Sequence, residues 1–117
     1  MAENSGLIDP ADMATHAESA ARFLRALANP HRLQVLCVLE DREMSVSELN
    51  ASIPLSQSAL SQQLSKLRAL KLVSTRRDGR TIFYSVTSDK VCRVLETLYD
   101  IYCAPRKAGQ NSEAAAV

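Results

Sequence analysis

Two helix starts separated by a proline constrain this chain more than any other feature. Ser45-Val46-Ser47-Glu48 has the form of a capping box, a serine N-cap with a glutamate three residues later, and it opens a short helix to about Ser52. Ile53-Pro54-Leu55 breaks that helix, and Ser56 caps a second one that continues towards Val73. At 3.6 residues per turn, Leu60, Leu64 and Leu67 of the second helix share one side, and Ser58, Ser61, Gln62, Ser65 and Ala69 share the other. That outer side carries hydroxyls, amides and a methyl, but no carboxylate. An ordinary solvated helix face carries Glu and Lys in i,i+4 pairs. A face of Ser and Gln can enter the DNA major groove, donate and accept at base edges, and avoid repelling phosphates. Helix, tight break and reading helix together make a helix-turn-helix arrangement.

The flanks complete a fold. Asp9-Pro10 offers an N-cap and an N1 proline for a first helix over about Pro10 to Leu27, apolar along Met13, Ala17, Ala20, Ala21, Leu24 and Leu27. Asn29-Pro30 repeats the signal for a second helix to about Glu40, with Leu33, Leu36, Cys37 and Leu39 facing inward. Asp41 to Met44 reads as a polar connection. After the Ser/Gln helix, the β-rich runs Leu72 to Arg77 and Thr81 to Val86 flank Asp78-Gly79, a hairpin signal. With Asp78-Gly79 as the loop, Arg77 and Arg80 stand opposite each other, where like charges are mildly destabilising. Phosphate would explain them by counterion release, and a solvated tip with edge-protecting charge is the plainer reading. Thr87-Ser88-Asp89 caps a last helix, about Asp89 to Ala104, apolar at Val91, Val94, Leu95, Leu98, Ile101 and Tyr102. The expected fold is mostly α: four helices, a β-hairpin wing and a C-terminal helix, a winged helix-turn-helix over residues 9–104. Residues 1–8 and 105–117 read as disordered tails. The first and last helices are more apolar than so small a domain needs, so a homodimer through them is expected.

Composition and charge narrow the function. With 117 residues, 46% hydrophobic but only 4% aromatic, the chain is one domain with a core of Leu, Val, Ile and Ala. No apolar run is long enough for a membrane span, and Met1 to Gly6 lacks a secretory signal, so the expected site of action is the cytoplasm, without membrane contact. The net charge of +1 says little, but its distribution is informative. No acid lies between Leu49 and Arg77, and Lys66, Arg68, Lys71, Arg76, Arg77 and Arg80 face only Asp78. The expected contacts to double-stranded DNA are Ser56, Gln57, Ser58, Ser61, Gln62, Lys66, Arg76, Arg77 and Arg80. There is no Cys-x-x-Cys and no thiol with a visible positioned base, so no enzyme is expected, and no cofactor.

Leu27-Ala28-Asn29-Pro30-His31-Arg32-Leu33, Ser45-Val46-Ser47-Glu48-Leu49, Leu55 to Leu64, and Asp78-Gly79-Arg80 with Phe83-Tyr84 together resemble the ArsR group of winged-helix bacterial transcriptional regulators. The resemblance spans about Ala20 to Cys103. It implies a homodimer on a near-palindromic operator, the fourth helix in the major groove and the hairpin as wing. Two departures stand out. Gln63 occupies a position where many members have His, and Leu70-Lys71-Leu72-Val73 replaces Ala-Gly-Leu-Val. The missing glycine puts a side chain where positive φ is often needed, so the fourth helix is expected to end differently, with Lys71 available to phosphate.

What the chain senses is read from its cysteines. The family's metal sites need thiolates or imidazoles at fixed spacing. Neither the third-helix Cys-x-Cys pattern nor the last-helix Asp/His pattern is present, so no metal site is expected. Cys37 and Cys103 are instead similar in placement to the thiol-based, reactive-sulfur and redox-sensing branch. That resemblance implies a disulfide or polysulfide bridge between them, formed by reactive sulfur species or an oxidant, that lowers DNA affinity. Cys92 has no counterpart. Taken without the resemblance, Cys37 and Cys103 read as core residues. A metal(loid)-responsive repressor and an anti-silencing activator on the same fold are the alternatives.

Overall fold

Each helix begins where local chemistry asks it to. A computed structural model describes residues 8–103. The Asp9 carboxylate accepts from the Ala11 N–H at 2.9 Å and Pro10 takes the first position of α1 (Pro10–Leu27). The second proline starts α2 (Pro30–Leu39). Both halves of the capping box form: the Glu48 N–H donates to the Ser45 hydroxyl and the Ser45 N–H to the Glu48 carboxylate, opening α3 (Val46–Ser52). Ser56 accepts from Ala59 to start α4 (Gln57–Ala69), and Ser88 accepts from Val91 to start α5 (Asp89–Tyr102). Apart from exposed Ile8, the two expected tails lie outside the described residues. No helix among the described residues is long and apolar enough to cross a membrane.

The chain divides at Pro30 into two compact units. In the first, α1 buries Ala26 and Leu27 in its last turn and leaves Met13 and Leu24 exposed. The second holds α2 to α5 and the sheet, and is the winged helix-turn-helix. Its core is aliphatic, with Val35, Leu36, Leu39, Leu49, Leu60, Leu64, Leu67 and Val91 fully buried. The three leucines assigned to the inner side of α4 are all in it, so the opposite side faces outward, as the helical period requires.

The sheet differs from a two-stranded wing. A third strand, β1 (Met44–Ser45), adds to the hairpin of β2 (Val73–Asp78) and β3 (Thr81–Val86), giving the antiparallel order β1-β3-β2. The stretch expected to be a polar connection therefore ends in a strand, with Met44 paired to Tyr84 and Ser45 to Phe83. The hairpin register is also shifted from the expected one. Asp78 pairs with Thr81 and Arg77 with Ile82, so the loop is Gly79-Arg80 and the arginines are not opposed. Gly79 has φ +65°. Glycine at the first central position suits a type II′ turn, whose twist matches the flanking strands.

The end of α4 corrects a second expectation. Despite lacking glycine it closes as a Schellman motif. The Leu72 N–H donates to the Leu67 carbonyl and the Lys71 N–H to the Arg68 carbonyl, both at 2.9 Å. Lys71 supplies the left-handed residue, at φ 63°. Buried Leu72 and Leu67 make up the hydrophobic pair that accompanies such an ending.

Candidate nucleic-acid interface and thiol site

The reading helix is held from two sides. The Asn50 side-chain amide donates to the Leu55 carbonyl at 2.6 Å, pinning the break between α3 and α4. On the other side Arg32 of α2 donates from Nε to Gln63 Oε1 at 2.8 Å, a partly buried bond. Gln63, one of the two departures in sequence, thus faces α2. Ser56, Gln57, Ser58, Ser61, Gln62 and Lys66 are all exposed along the outer side and first turn of α4. No acidic side chain occurs in the helix. The surface therefore offers hydroxyl and amide groups to base edges and a cation to phosphate without a repelling carboxylate.

The wing arginines fall into two kinds. Arg76 lies opposite Phe83 across β2 and β3, with its guanidinium 4.9 Å from the ring centroid. It also meets Glu43, which precedes β1. Nε and Nη2 reach the two carboxylate oxygens at 2.8–3.1 Å. Directly paired residues share a sheet face, so the added strand β1 brings Glu43 to Arg76 over Phe83. The hydrogen bonds and charge of Arg76 hold the Glu43 carboxyl below its ordinary pKa, and Glu43 raises that of Arg76. Arg76 is therefore already neutralised. Arg77, one residue on and on the opposite sheet face, and Arg80, in the loop, are exposed and form no ion pair among the described residues. The acid-free stretch from Leu49 to Arg77 concealed Glu43, which only the pairing of β1 brings near.

Cys37 was expected to face inward on α2 with Leu33 and Leu36. Instead Val35, Leu36 and Leu39 fill the core and the Cys37 thiol is exposed. Cys103 is the exposed C-cap of α5, its N–H donating to the Tyr99 carbonyl at 2.7 Å. The fold brings the two thiols into electrostatic reach. Partial burial first, then the Glu40 carboxylate, then Cys103 raise the Cys37 pKa. Cys37 opens onto a cleft of about 330 Å³ between α2 and α5, lined also by Glu40, Leu95, Glu96, Tyr99 and Asp100. Glu40 is raised by burial, then by the charge and a side-chain hydrogen bond of Glu96, then by Asp41. Cys92 is half-buried and raised by burial, then by Glu40, Glu96 and Asp89. Among the described residues no three His, Cys, Asp or Glu side chains are grouped to hold a metal ion.

Comparison with known proteins agrees with this geometry. The family model described as bacterial regulatory protein, arsR family, matches residues 29–75, from the start of α2 into β2. The nodulation protein NolR of Rhizobium meliloti is 56% identical over 93 residues, covering 80% of this chain and 76% of the relative. The structure of reduced HlyU from Vibrio cholerae is 46% identical with a TM-score of 0.73, covering 79% of this chain and 97% of that one. The transcriptional repressor BigR from Xylella fastidiosa is 40% identical with a TM-score of 0.78, covering 84% of this chain and all of that one, 100%.

Proposed function

The chain belongs to the arsR family of bacterial regulatory proteins and is a transcriptional regulator, and we propose that it is a cytoplasmic, dimeric repressor that binds operator DNA when reduced and releases it when Cys37 and Cys103 are bridged. The observation that carries this reading is that both thiols are exposed, with Cys37 of α2 on a cleft walled by Leu95, Glu96, Tyr99 and Asp100 of α5, the helix that Cys103 caps. Two exposed thiols borne by the two elements that wall one cleft suit a bridge better than a core.

In the reduced dimer the two α4 helices would sit about 34 Å apart, one turn of DNA. Gln57, Ser58, Ser61 and Gln62 then meet base edges, while Ser56, Lys66, Arg77 and Arg80 meet phosphates. Exposed Tyr99, Ile101 and Tyr102 on α5, and Met13 and Leu24 on α1, supply the apolar surface for the dimer.

Reactive sulfur closes the bridge in two balanced displacements. The Cys37 thiolate takes the outer sulfur of a persulfide R–S–SH, releasing R–S⁻ and leaving Cys37–S–SH. The Cys103 thiolate then attacks the Cys37 sulfur, forming the disulfide and expelling HS⁻, so both thiols are oxidised and the sulfane sulfur is reduced to sulfide. Bridging ties α2 to α5. Because Arg32 of α2 is bonded to Gln63 of α4, a displacement of α2 is felt at the reading helix.

The test uses an operator recovered from random DNA by binding-site selection. Reduced protein should bind it tightly, and persulfide treatment should weaken binding by about 5- to 150-fold, the usual span of allosteric coupling. Cys37→Ser and Cys103→Ser should bind but no longer respond. Normal release by either variant refutes the switch.

A further inference from the structure

The cleft that opens on Cys37 has an uneven lining. Of its six residues, Glu40, Glu96 and Asp100 are acidic, and among the described residues that line it none is basic. This contrasts with a chain whose charges nearly balance, 14 Lys and Arg against 13 Asp and Glu. The arrangement also works against folding. Glu40 follows the last residue of α2, where the helix dipole disfavours an anion, and it lines the cleft together with Glu96 of α5; burial and then the charge of Glu96 raise its pKa. The remaining lining, Leu95 and Tyr99, is apolar and adds no charge.

We infer that this cleft selects its electrophile by charge, admitting uncharged or cationic sulfur compounds to Cys37 and turning away anionic ones. The inference names the inducer class for the thiol switch and rests on that reading for its biological use, though its test does not. A unit charge about 6 Å from one carboxylate in a water-like medium gains or loses about threefold in local concentration. Unscreened, three carboxylates acting together enrich a cation about 30-fold over a neutral compound and deplete an anion by as much. Greater distances and salt cut this, leaving a difference of about tenfold or more between cation and anion at low salt that shrinks as salt rises because the charges are exposed.

The test uses full-length protein carrying Cys92→Ser and Cys103→Ser, so that only Cys37 reports. It reacts with three disulfides of one size: cystamine, a dication, 2-hydroxyethyl disulfide, uncharged, and 3,3′-dithiodipropionate, a dianion. In each, the Cys37 thiolate attacks R–S–S–R to give Cys37–S–S–R and R–S⁻. Rates come from intact-protein mass spectrometry, each divided by the rate of a free uncharged thiol with the same reagent. The expected order is cation, neutral, anion, spanning about tenfold at low salt and narrowing as salt rises. Glu40→Gln with Glu96→Gln should compress the span. A circular dichroism spectrum matching the parent establishes that the double variant is folded, and Glu96→Gln alone should compress the span in part.

Equal normalised rates overturn the inference, as does a span that survives both substitutions. A reversed order also overturns it. The switch is judged separately. Wild-type protein that keeps operator DNA after bridging by persulfide refutes the switch, while the charge order at Cys37 stands on its own measurement.

Discussion

Replacing Lys71 by glycine should stabilise the protein, because Lys71 holds φ at 63° in the Schellman ending of α4. A residue with a Cβ pays about 1–2 kcal/mol in that conformation. Glycine pays nothing there but gains freedom in the unfolded chain, which offsets about 0.4–1 kcal/mol. The two hydrogen bonds that close the motif are made by backbone groups, and the Leu67 and Leu72 side chains are untouched, so nothing else is lost. The net gain is about 0.5–1 kcal/mol, a rise of roughly 3–6 °C in Tm for a domain of this size. Lys71→Ala is the control: it removes the ammonium, keeps the Cβ, and should leave stability nearly unchanged. Urea unfolding of reduced protein, at one protein concentration for all variants, reads the difference as a shift in midpoint at constant m. Lys71→Gly no more stable than Lys71→Ala would refute the assignment of strain to the backbone of this residue.

Three further predictions concern the site. Arg77→Ala should lower the slope of log K against log salt by about one unit, whereas Arg76→Ala should leave it unchanged and Glu43→Gln should steepen it by freeing Arg76. Because the Glu43 carboxyl is held below its ordinary pKa, the pair opens only in more acidic solution, as pH falls through that lowered value. Gln62→Ala should narrow the gap between operator and random DNA by about 1–3 kcal/mol with no change in salt slope, read from parallel titrations. The Cys37 pKa is raised, so its thiolate is scarce at neutral pH and an iodoacetamide pH profile should show a midpoint above that of an ordinary thiol. Glu40→Gln should bring that midpoint down and speed alkylation, and a midpoint at or below the ordinary value of about 8.5 would show the cause to be wrong.

What could be read in the sequence depended on how far apart the interacting groups lie in the chain. The caps at Asp9, Ser45, Ser56 and Ser88 act within a few residues of themselves, and all four start helices where expected. The leucines of α4 repeat at helical spacing and are buried as expected. β1 has only two residues and exists by pairing with Tyr84 and Phe83, so no local pattern announces it. The ion pair of Glu43 with Arg76 follows from the same pairing and was hidden for the same reason. In the hairpin, one glycine serves either the second place of a type I′ loop or the first place of a type II′ loop, and the register slips by a residue between them. α2 is apolar at Leu33, Val35, Leu36, Cys37, Val38 and Leu39, too many for periodicity to choose a face. That is why the exposed thiol of Cys37, the residue on which the sensing account turns, was assigned to the core.

The central claim is that one bond, between Cys37 and Cys103, decides whether the protein holds DNA. Fluorescence anisotropy of labelled operator and intact-protein mass spectrometry, followed on the same sample after adding a persulfide, test it directly. The account predicts that DNA release and the Cys37–Cys103 linkage rise along one time course, and that a reductant reverses both. Release that runs ahead of the linkage, or a fully linked protein still on its operator, would contradict it.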